Sequence, residues 1–246
     1  MARPALPSLP FGAAAEDLDF DFASADRPAL VTALLARCTR PADEDHWWQR
    51  AVGDRTAALL DVLHASTGST AIALTLRCAA CSKRFEIELP HAAIVAARAA
   101  PESVELQRAD GDTPLTLRRA TGNDLRAWHD EASGGGEADA LSMLARLCTR
   151  GAPEACDVAP AAAALAAADP LVAFMVACAC PECGADAEID VDLEALALQR
   201  LAARQQQLLR EVHALASRYG WTEREILAVA PARRARYLEL IDGWAG

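Results

Sequence analysis

The chain has 246 residues, enough for one large domain or two small ones, and 52% of them are hydrophobic, so it can bury a real core. Its formal net charge of −11 argues against a general nucleic-acid binder, because neutralising phosphates requires clustered Lys and Arg. We expect neither a membrane span nor a signal peptide, since no apolar run approaches about 18 residues and the N-terminus is proline-rich.

The first region in chain order is an N-terminal segment, residues 1–27, which is rich in proline and aspartate. This composition predicts a poorly ordered, flexible arm. Phe11, Phe20 and Phe22 stand out within it, and we expect them to dock the arm on a partner protein.

The central region, residues 28–191, begins with helical patterns at 29–38 and 56–64 and then changes to strand-like runs. One run, 71–76, leads into a Cys-x-x-C pair, and a second, 171–177, leads into another. The phrases that follow align at a constant offset of 102 residues, so that Phe85-Glu-Ile-Glu falls where Ala187-Glu-Ile-Asp does.

The two pairs predict one shared metal site, formed by Cys78, Cys81, Cys180 and Cys183. Two such turns, or knuckles, supply four thiolates, which is the closed set of a structural zinc ion. Thiols stay reduced in the cytosol, so the eight cysteines favour bound zinc over disulfides. The alternative is a thiol-disulfide oxidoreductase, but a thioredoxin-like Cys-x-x-C opens a helix. Both pairs here lie between strand-like runs.

Between the knuckles, alternating runs at 104–108 and 115–119 predict a hairpin that turns at Asp110-Gly111. Thr121 then has the chemistry of a helix N-cap.

The last region, residues 192–246, begins at Asp192 with a long amphipathic helix that extends to about Arg218. Two short helices follow, one capped by Thr222 and one opened by Pro231. The expected fold is therefore α+β and mainly helical: a small zinc-ribbon-like β core from the two knuckles, then a long C-terminal helix and two short helices.

The remaining metal-binding residue types give weaker signals. The five histidines are scattered through the chain, and only His91 is near a knuckle. Cys178 lies two residues before Cys180, on the same strand face, so it is either a buried small side chain or an exchangeable fifth ligand.

Several phrases occur in an order that resembles a known family. They are Gly53-Asp-Arg, the first Cys-x-x-C, Thr121-Gly-Asn-Asp-Leu, Cys180-Pro-Glu-Cys-Gly, Glu211-Val-His-Ala-Leu-Ala, Tyr219-Gly-Trp-Thr-Glu-Arg-Glu-Ile-Leu and Arg233-Arg-Ala-Arg-Tyr-Leu. Over about residues 46–242 the chain resembles phage baseplate proteins of the T-even-type hub assembly or chaperone family, found in phages, prophages and contractile injection systems. It departs from the family pattern at Ala79 and Ser82 of the first knuckle.

The resemblance implies a structural or assembly role, with baseplate or tail hub proteins as partners and no small-molecule substrate. It places the protein in the cytoplasm during assembly, with incorporation into the particle left open. We also find no catalytic motif, such as a nucleophile elbow, a phosphate loop or a helical His pair, so an enzyme is not expected.

The C-terminal tip is the expected partner-binding segment, because its two short helices carry more apolar and aromatic surface than they can bury alone. The residues are Tyr219, Trp221, Ile226, Leu227, Tyr237 and Leu238. Packing of the tip back on the long helix is the competing interpretation. The alternative function is a zinc-ribbon adaptor or transcriptional regulator that binds nucleic acid through Arg224, Arg233, Arg234 and Arg236.

Overall fold

The computed structural model describes residues 7–40, 43–97, 101–108, 114–131 and 136–243. The predicted fold class is confirmed, since the chain is α+β and mainly helical, with small antiparallel sheets and a long C-terminal helix followed by short ones. The helices are α1 (Arg27–Cys38), α2 (Glu44–Trp48), α3 (Val52–Thr67), α4 (His91–Ala96), α5 (Gly122–Glu131), α6 (Glu137–Leu147), α7 (Val158–Ala168), α8 (Leu193–Tyr219), α9 (Glu223–Ala228) and α10 (Pro231–Asp242). The strands are β1 (Ala71–Arg77), β2 (Arg84–Pro90), β3 (Ser103–Leu106), β4 (Leu115–Arg118), β5 (Cys148–Arg150), β6 (Phe174–Ala179) and β7 (Asp186–Val191).

The main core lies where α1, α3 and α8 pack together. Leu34, Leu59 and Leu201, one from each helix, are completely buried. Each such leucine stabilises the fold by roughly 1.5–3 kcal/mol relative to an exposed one. The predicted start of the long helix is confirmed, because the Asp192 carboxylate accepts a hydrogen bond from the Ala195 backbone N–H at 2.9 Å.

The N-terminal segment belongs to this core, which differs from the expected arm. Phe11 is 2% exposed and packs on Phe20 and Phe22. Its backbone N–H donates to Ser66 Oγ at 2.8 Å, and the Gln205 amide of α8 donates to two backbone carbonyls of the segment. These phenyl rings therefore dock on the chain's own core. The sequence pattern could not distinguish this from docking on a partner, since both bury the same rings.

The two cysteine-bearing hairpins are separate two-stranded sheets. Strands β1 and β2 pair from Ala71↔Pro90 to Arg77↔Arg84, and β6 and β7 pair from Phe174↔Val191 to Ala179↔Asp186. On each hairpin one face packs towards the core and the other faces solvent. A lone two-stranded hairpin is marginally stable in water, so these two depend on what joins them.

A smaller core lies between α6, α7 and the sheet β3-β4-β5. Its centre is formed by Leu115, Leu117, Leu144 and Ala161. The predicted hairpin is present as the antiparallel pair β3 and β4, while its turn at Asp110-Gly111 lies outside the described residues.

The tip, α9 and α10, packs back on α8 through a buried ion pair. Arg234 donates to the Glu211 carboxylate at 3.1 Å and to the carbonyls of Leu227 and Val229. Gly220, with a left-handed φ of 69°, ends α8 and reverses the chain. In the described part of the chain, no helix combines the length and apolar character needed to cross a membrane.

Candidate metal centre

The first knuckle is the tight turn that joins β1 to β2. The Cys78 backbone N–H donates to the Lys83 carbonyl at 2.9 Å, and the Ser82 N–H donates to the Cys78 carbonyl at 2.9 Å. This folds the chain so that Cys78 and Cys81 present their sulfurs on one side of the turn.

The second knuckle repeats this geometry at the same offset of 102 residues. The Cys180 N–H donates to the Ala185 carbonyl at 2.9 Å, and the Gly184 N–H donates to the Cys180 carbonyl at 2.8 Å. Ser82 and Gly184 occupy equivalent positions and both have left-handed backbone, with φ of 60° and 71°. Ser82 therefore adopts the same backbone conformation as the glycine of the second knuckle.

The two knuckles meet and bring four sulfurs together. Cys78 Sγ lies 3.7 Å from Cys183 Sγ, and Cys81 Sγ lies 3.8 Å from Cys180 Sγ. All four sulfurs are within 4.8 Å of one another. Four thiolates about 2.3 Å from one tetrahedral ion would be about 3.8 Å apart. The cluster can therefore hold a metal ion with little rearrangement.

The cluster has a buried side and an exposed side. Cys78 and Cys180 are buried, Cys81 is half-buried and Cys183 is exposed. Phe85 of β2 is buried against the cysteines and shields one side from water. The cysteine cluster thus joins the ends of both hairpins and is exposed to solvent on the side of Cys183.

The four thiols do not all lose their protons easily, because the pKa values of Cys81 and Cys183 are raised. The Cys81 backbone N–H lowers the pKa of the Cys78 thiol to about 7. The Ala185 backbone N–H lowers the pKa of Cys183, but the neighbouring Cys81 and Cys78 sulfurs outweigh it and raise this pKa to about 12. Near neutral pH the set therefore keeps protons, and a bound cation would displace them.

The position of the cysteine pairs argues against a thiol-disulfide oxidoreductase. Both Cys-x-x-C pairs lie in hairpin turns, whereas a low-pKa redox pair is usually set at a helix N-terminus. The arrangement that the structure presents is a group of four cysteine sulfurs close enough together to hold one metal ion.

The other cysteines lie outside this centre. Cys178 is half-buried against it but does not join the group of mutually close sulfurs, which agrees with a packing role. Cys38 is in the main core, where burial raises the pKa of its thiol to about 12. His91 contacts Asp61 and stacks on His64, with ring centres 4.5 Å apart, so it is not a ligand of this group.

The Gly53-Asp-Arg phrase has a structural role at the start of α3. A side chain at Gly53 would collide with the carboxylate of Asp169, which is buried there. Asp54 pairs with Arg119 at 2.9 Å, and Arg119 also pairs with Asp169 at 2.6 Å. The phrase thereby connects α3 to β4 and to the segment that leads into the second hairpin.

Arg55, the third residue of that phrase, is completely buried without a direct ion pair among the described residues. Its guanidinium donates to Thr32 Oγ1 and to the carbonyls of Trp47 and Pro28, at 2.8–2.9 Å. Gly122 of the Thr-Gly-Asn-Asp-Leu phrase lies directly against it, since a Cβ there would overlap Arg55 Nη1. The Gly53-Asp-Arg and Thr121-Gly-Asn-Asp-Leu phrases, which are far apart in the chain, therefore meet at one buried cation.

The predicted partner-binding residues differ in how far they are exposed to solvent. Ile226 and Leu227 are buried within the chain, 0% and 7% exposed, so in this conformation they are not available to a partner. Tyr219, Trp221 and Tyr237 form a mutual aromatic cluster with ring centres 5.0–5.7 Å apart. Leu238 is half-buried. Sequence patterns show that such residues are apolar but not which of them face solvent.

One of the four arginines predicted to form a basic patch on the tip is buried. Arg234 is 2% exposed and bonded to Glu211, so it belongs to the packing of the tip on α8. Arg224, Arg233 and Arg236 remain exposed. A nucleic-acid-binding tip thus loses one of its four proposed cations.

Comparisons of the chain with family models, curated proteins and solved structures give no match.

Proposed function

We propose that this chain is a structural or assembly protein of a phage-like contractile tail, acting at the baseplate or hub, and that its cysteine cluster holds one zinc ion. The observation that carries the zinc proposal is the spacing of the four sulfurs, 3.7–3.8 Å between closest partners. Four thiolates are the ligand set that zinc favours in closed structural sites.

The proposed role of zinc is to join two marginal hairpins. Among the described residues, each hairpin forms a separate two-stranded sheet, and each contributes two of the four cysteines. A structural zinc contributes apparent binding free energies on the order of 10 kcal/mol in small zinc peptides, and this is available only in the folded arrangement. The ion would therefore couple the folding of residues separated by about a hundred positions in sequence.

A non-catalytic role is proposed from the same chemistry. Zinc that is saturated by four thiolates has no open position from which to activate water or polarise a substrate. Two of the phrases that carry the resemblance supply buried contacts, since Gly53, Arg55 and Gly122 lie where helices pack together. Such a rigid core with exposed helical surfaces suits a protein that binds other proteins during assembly in the cytoplasm.

Metal content tests the first part of the proposal. Protein purified without chelators is expected to contain about one equivalent of zinc by elemental analysis. Cys180→Ser should lose the ion and loosen both hairpins together, detected as faster amide exchange in β1, β2, β6 and β7. Cys156→Ser changes an exposed cysteine outside the cluster and should retain the ion. Wild-type protein without bound metal would refute the zinc site.

Deletion of the gene tests the assembly role. In a host that makes the contractile particle, loss of this protein should leave tubes or sheaths without competent baseplates, while the other tail proteins are still made. Electron microscopy and immunoblots of the tail proteins would separate these outcomes. Normal, functional particles in the deletion strain would refute the assembly role without affecting the metal assignment.

A further inference from the structure

The solvent-facing side of the second hairpin carries uncompensated negative charge. Asp186, Glu188 and Asp190 alternate along β7 and are all exposed, and none has an ion pair among the described residues. Directly opposite Asp190, on β6, is Met175, which is 54% exposed. Residues opposite each other in an antiparallel pair share a face, so this surface combines three carboxylates with an exposed apolar side chain. We call it the acidic face.

The first hairpin lacks this property, although its strands are equivalent. Glu86 and Glu88 occupy the positions of Glu188 and Asp190, but Arg77 and Arg84 lie on the same solvent-facing side and balance them. The acidic face is therefore a feature of the second hairpin and not of the repeated structure itself.

The tip carries the complementary surface on α10. Arg233, Arg236, Tyr237 and Leu240 follow the i, i+3, i+4, i+7 spacing that places residues on one side of a helix. Leu240 is 56% exposed, and neither arginine has an ion pair among the described residues. Tyr237 extends this side to Tyr219, which is 38% exposed. We call this surface the basic face.

The two faces are held apart by α8. This helix has 27 residues and begins just after β7, while the tip packs at its far end. Glu211, which binds Arg234 of the tip, lies about 27 Å along the axis from the start of α8 at about 1.5 Å per residue, so the acidic and basic faces of one chain do not meet. Any contact between them must join two molecules.

We propose that the acidic face of one molecule binds the basic face of a second copy of this chain. Each face offers what the other lacks: unpaired carboxylates beside Met175 and unpaired arginines beside Leu240. The contact joins two different surfaces, so it is head-to-tail, and repetition builds a ring if the rotation closes or an open chain if it does not. Because the contact relies on charged side chains exposed to water, its strength should fall as salt screens them.

Sedimentation velocity of the full-length, metal-loaded protein tests this contact. At about 50 mM NaCl the weight-average mass should rise with protein concentration through the micromolar range, and at about 500 mM NaCl it should return to that of the monomer. Two charge-reversed variants, one with Arg233→Glu plus Arg236→Glu and one with Glu188→Arg plus Asp190→Arg, should each remain monomeric at low salt. An equimolar mixture of them should associate again, because every contact between the two variants pairs opposite charges.

The repeat supplies a matched control. A Glu86→Arg plus Glu88→Arg variant changes the equivalent strand positions of the first hairpin and should associate like the wild type. Circular dichroism and metal content confirm folding of each variant. A wild type that stays monomeric at low salt, or a mixture that fails to associate, overturns the proposal. In the first case, salt-dependent retention of the wild type by a DNA duplex would assign the basic face to nucleic acid instead.

Discussion

Gly122 lies directly against the buried guanidinium of Arg55, where a Cβ would overlap Nη1 and come within 3.0 Å of the Trp48 carbonyl. The guanidinium cannot retreat, because three hydrogen bonds to α1 and α2 hold it in place. The buried guanidinium of Arg55 therefore leaves room only for a glycine at position 122.

Gly122→Ser is expected to lower the free energy of unfolding by about 1–3 kcal/mol, the usual cost of adding atoms to a well-packed interior. Gly136→Ser is the matched control: it also lies at the start of a helix, but its added side chain meets open space. Urea unfolding of both metal-loaded variants measures the difference. Equal midpoints for the two variants would show that the Arg55 site adapts freely.

Ser82→Gly is expected to stabilise the first knuckle, because a non-glycine residue in the left-handed region costs roughly 1–2 kcal/mol and only part of this is offset by the flexibility of glycine. The reciprocal change in the second knuckle, Gly184→Ser, should destabilise it by a similar amount. Thermal unfolding and chelator competition of the two variants should therefore shift in opposite directions. Shifts in the same direction would contradict the equivalence of the knuckles.

Metal affinity should fall as the pH is lowered. Ligation requires thiolates, and the pKa values of Cys81 and Cys183 are both raised, that of Cys183 to about 12, so metal must displace their protons at neutral pH. With at least two protons released, the apparent affinity should decrease about 100-fold per pH unit below pH 8. Chelator competition from about pH 6.5 to about pH 8 measures how the apparent metal affinity changes with pH.

Substitution of the neighbouring cysteine, Cys178, is the control for that experiment. Cys178→Ser should leave the slope unchanged, because Cys178 lies outside the group of four sulfurs. Affinity that does not depend on pH would show that the bound metal is not held by thiolates.

Glu211→Gln is expected to release the tip from α8, since it leaves the 3%-exposed Arg234 side chain without its carboxylate. Breaking one partner of a buried ion pair costs about 3–5 kcal/mol, and the cost should fall on α9, α10 and the part of α8 around Arg204, which also pairs with Glu211. Hydrogen exchange should show faster exchange there and unchanged rates in the two cysteine-bearing hairpins. Glu223→Gln, at an exposed position of α9, serves as the control and should change neither.

The local features of this fold were predictable from sequence. The helix at Asp192, the two knuckles with their shared offset and the β3-β4 hairpin all depend on contacts within a few residues, and spacing encodes such contacts directly. The clustering of the four cysteines was predictable for the same reason, because each Cys-x-x-C pair brings two sulfurs together by itself. By contrast, α7 was not predicted, because its alanine-rich sequence has little periodic contrast between faces.

Which surfaces are buried was decided only by the tertiary structure. Phe11 lies in the main core, Arg234 supports the tip, and Ile226 and Leu227 face inward, whereas their sequence patterns also fit contacts with a partner or with nucleic acid. Burial depends on residues that are distant in sequence, such as Gln205 for the N-terminal segment and Glu211 for the tip. A single sequence records the chemistry of each side chain but not these long-range neighbours, which determine whether an apolar ring or a charged group meets water, its own chain or another molecule.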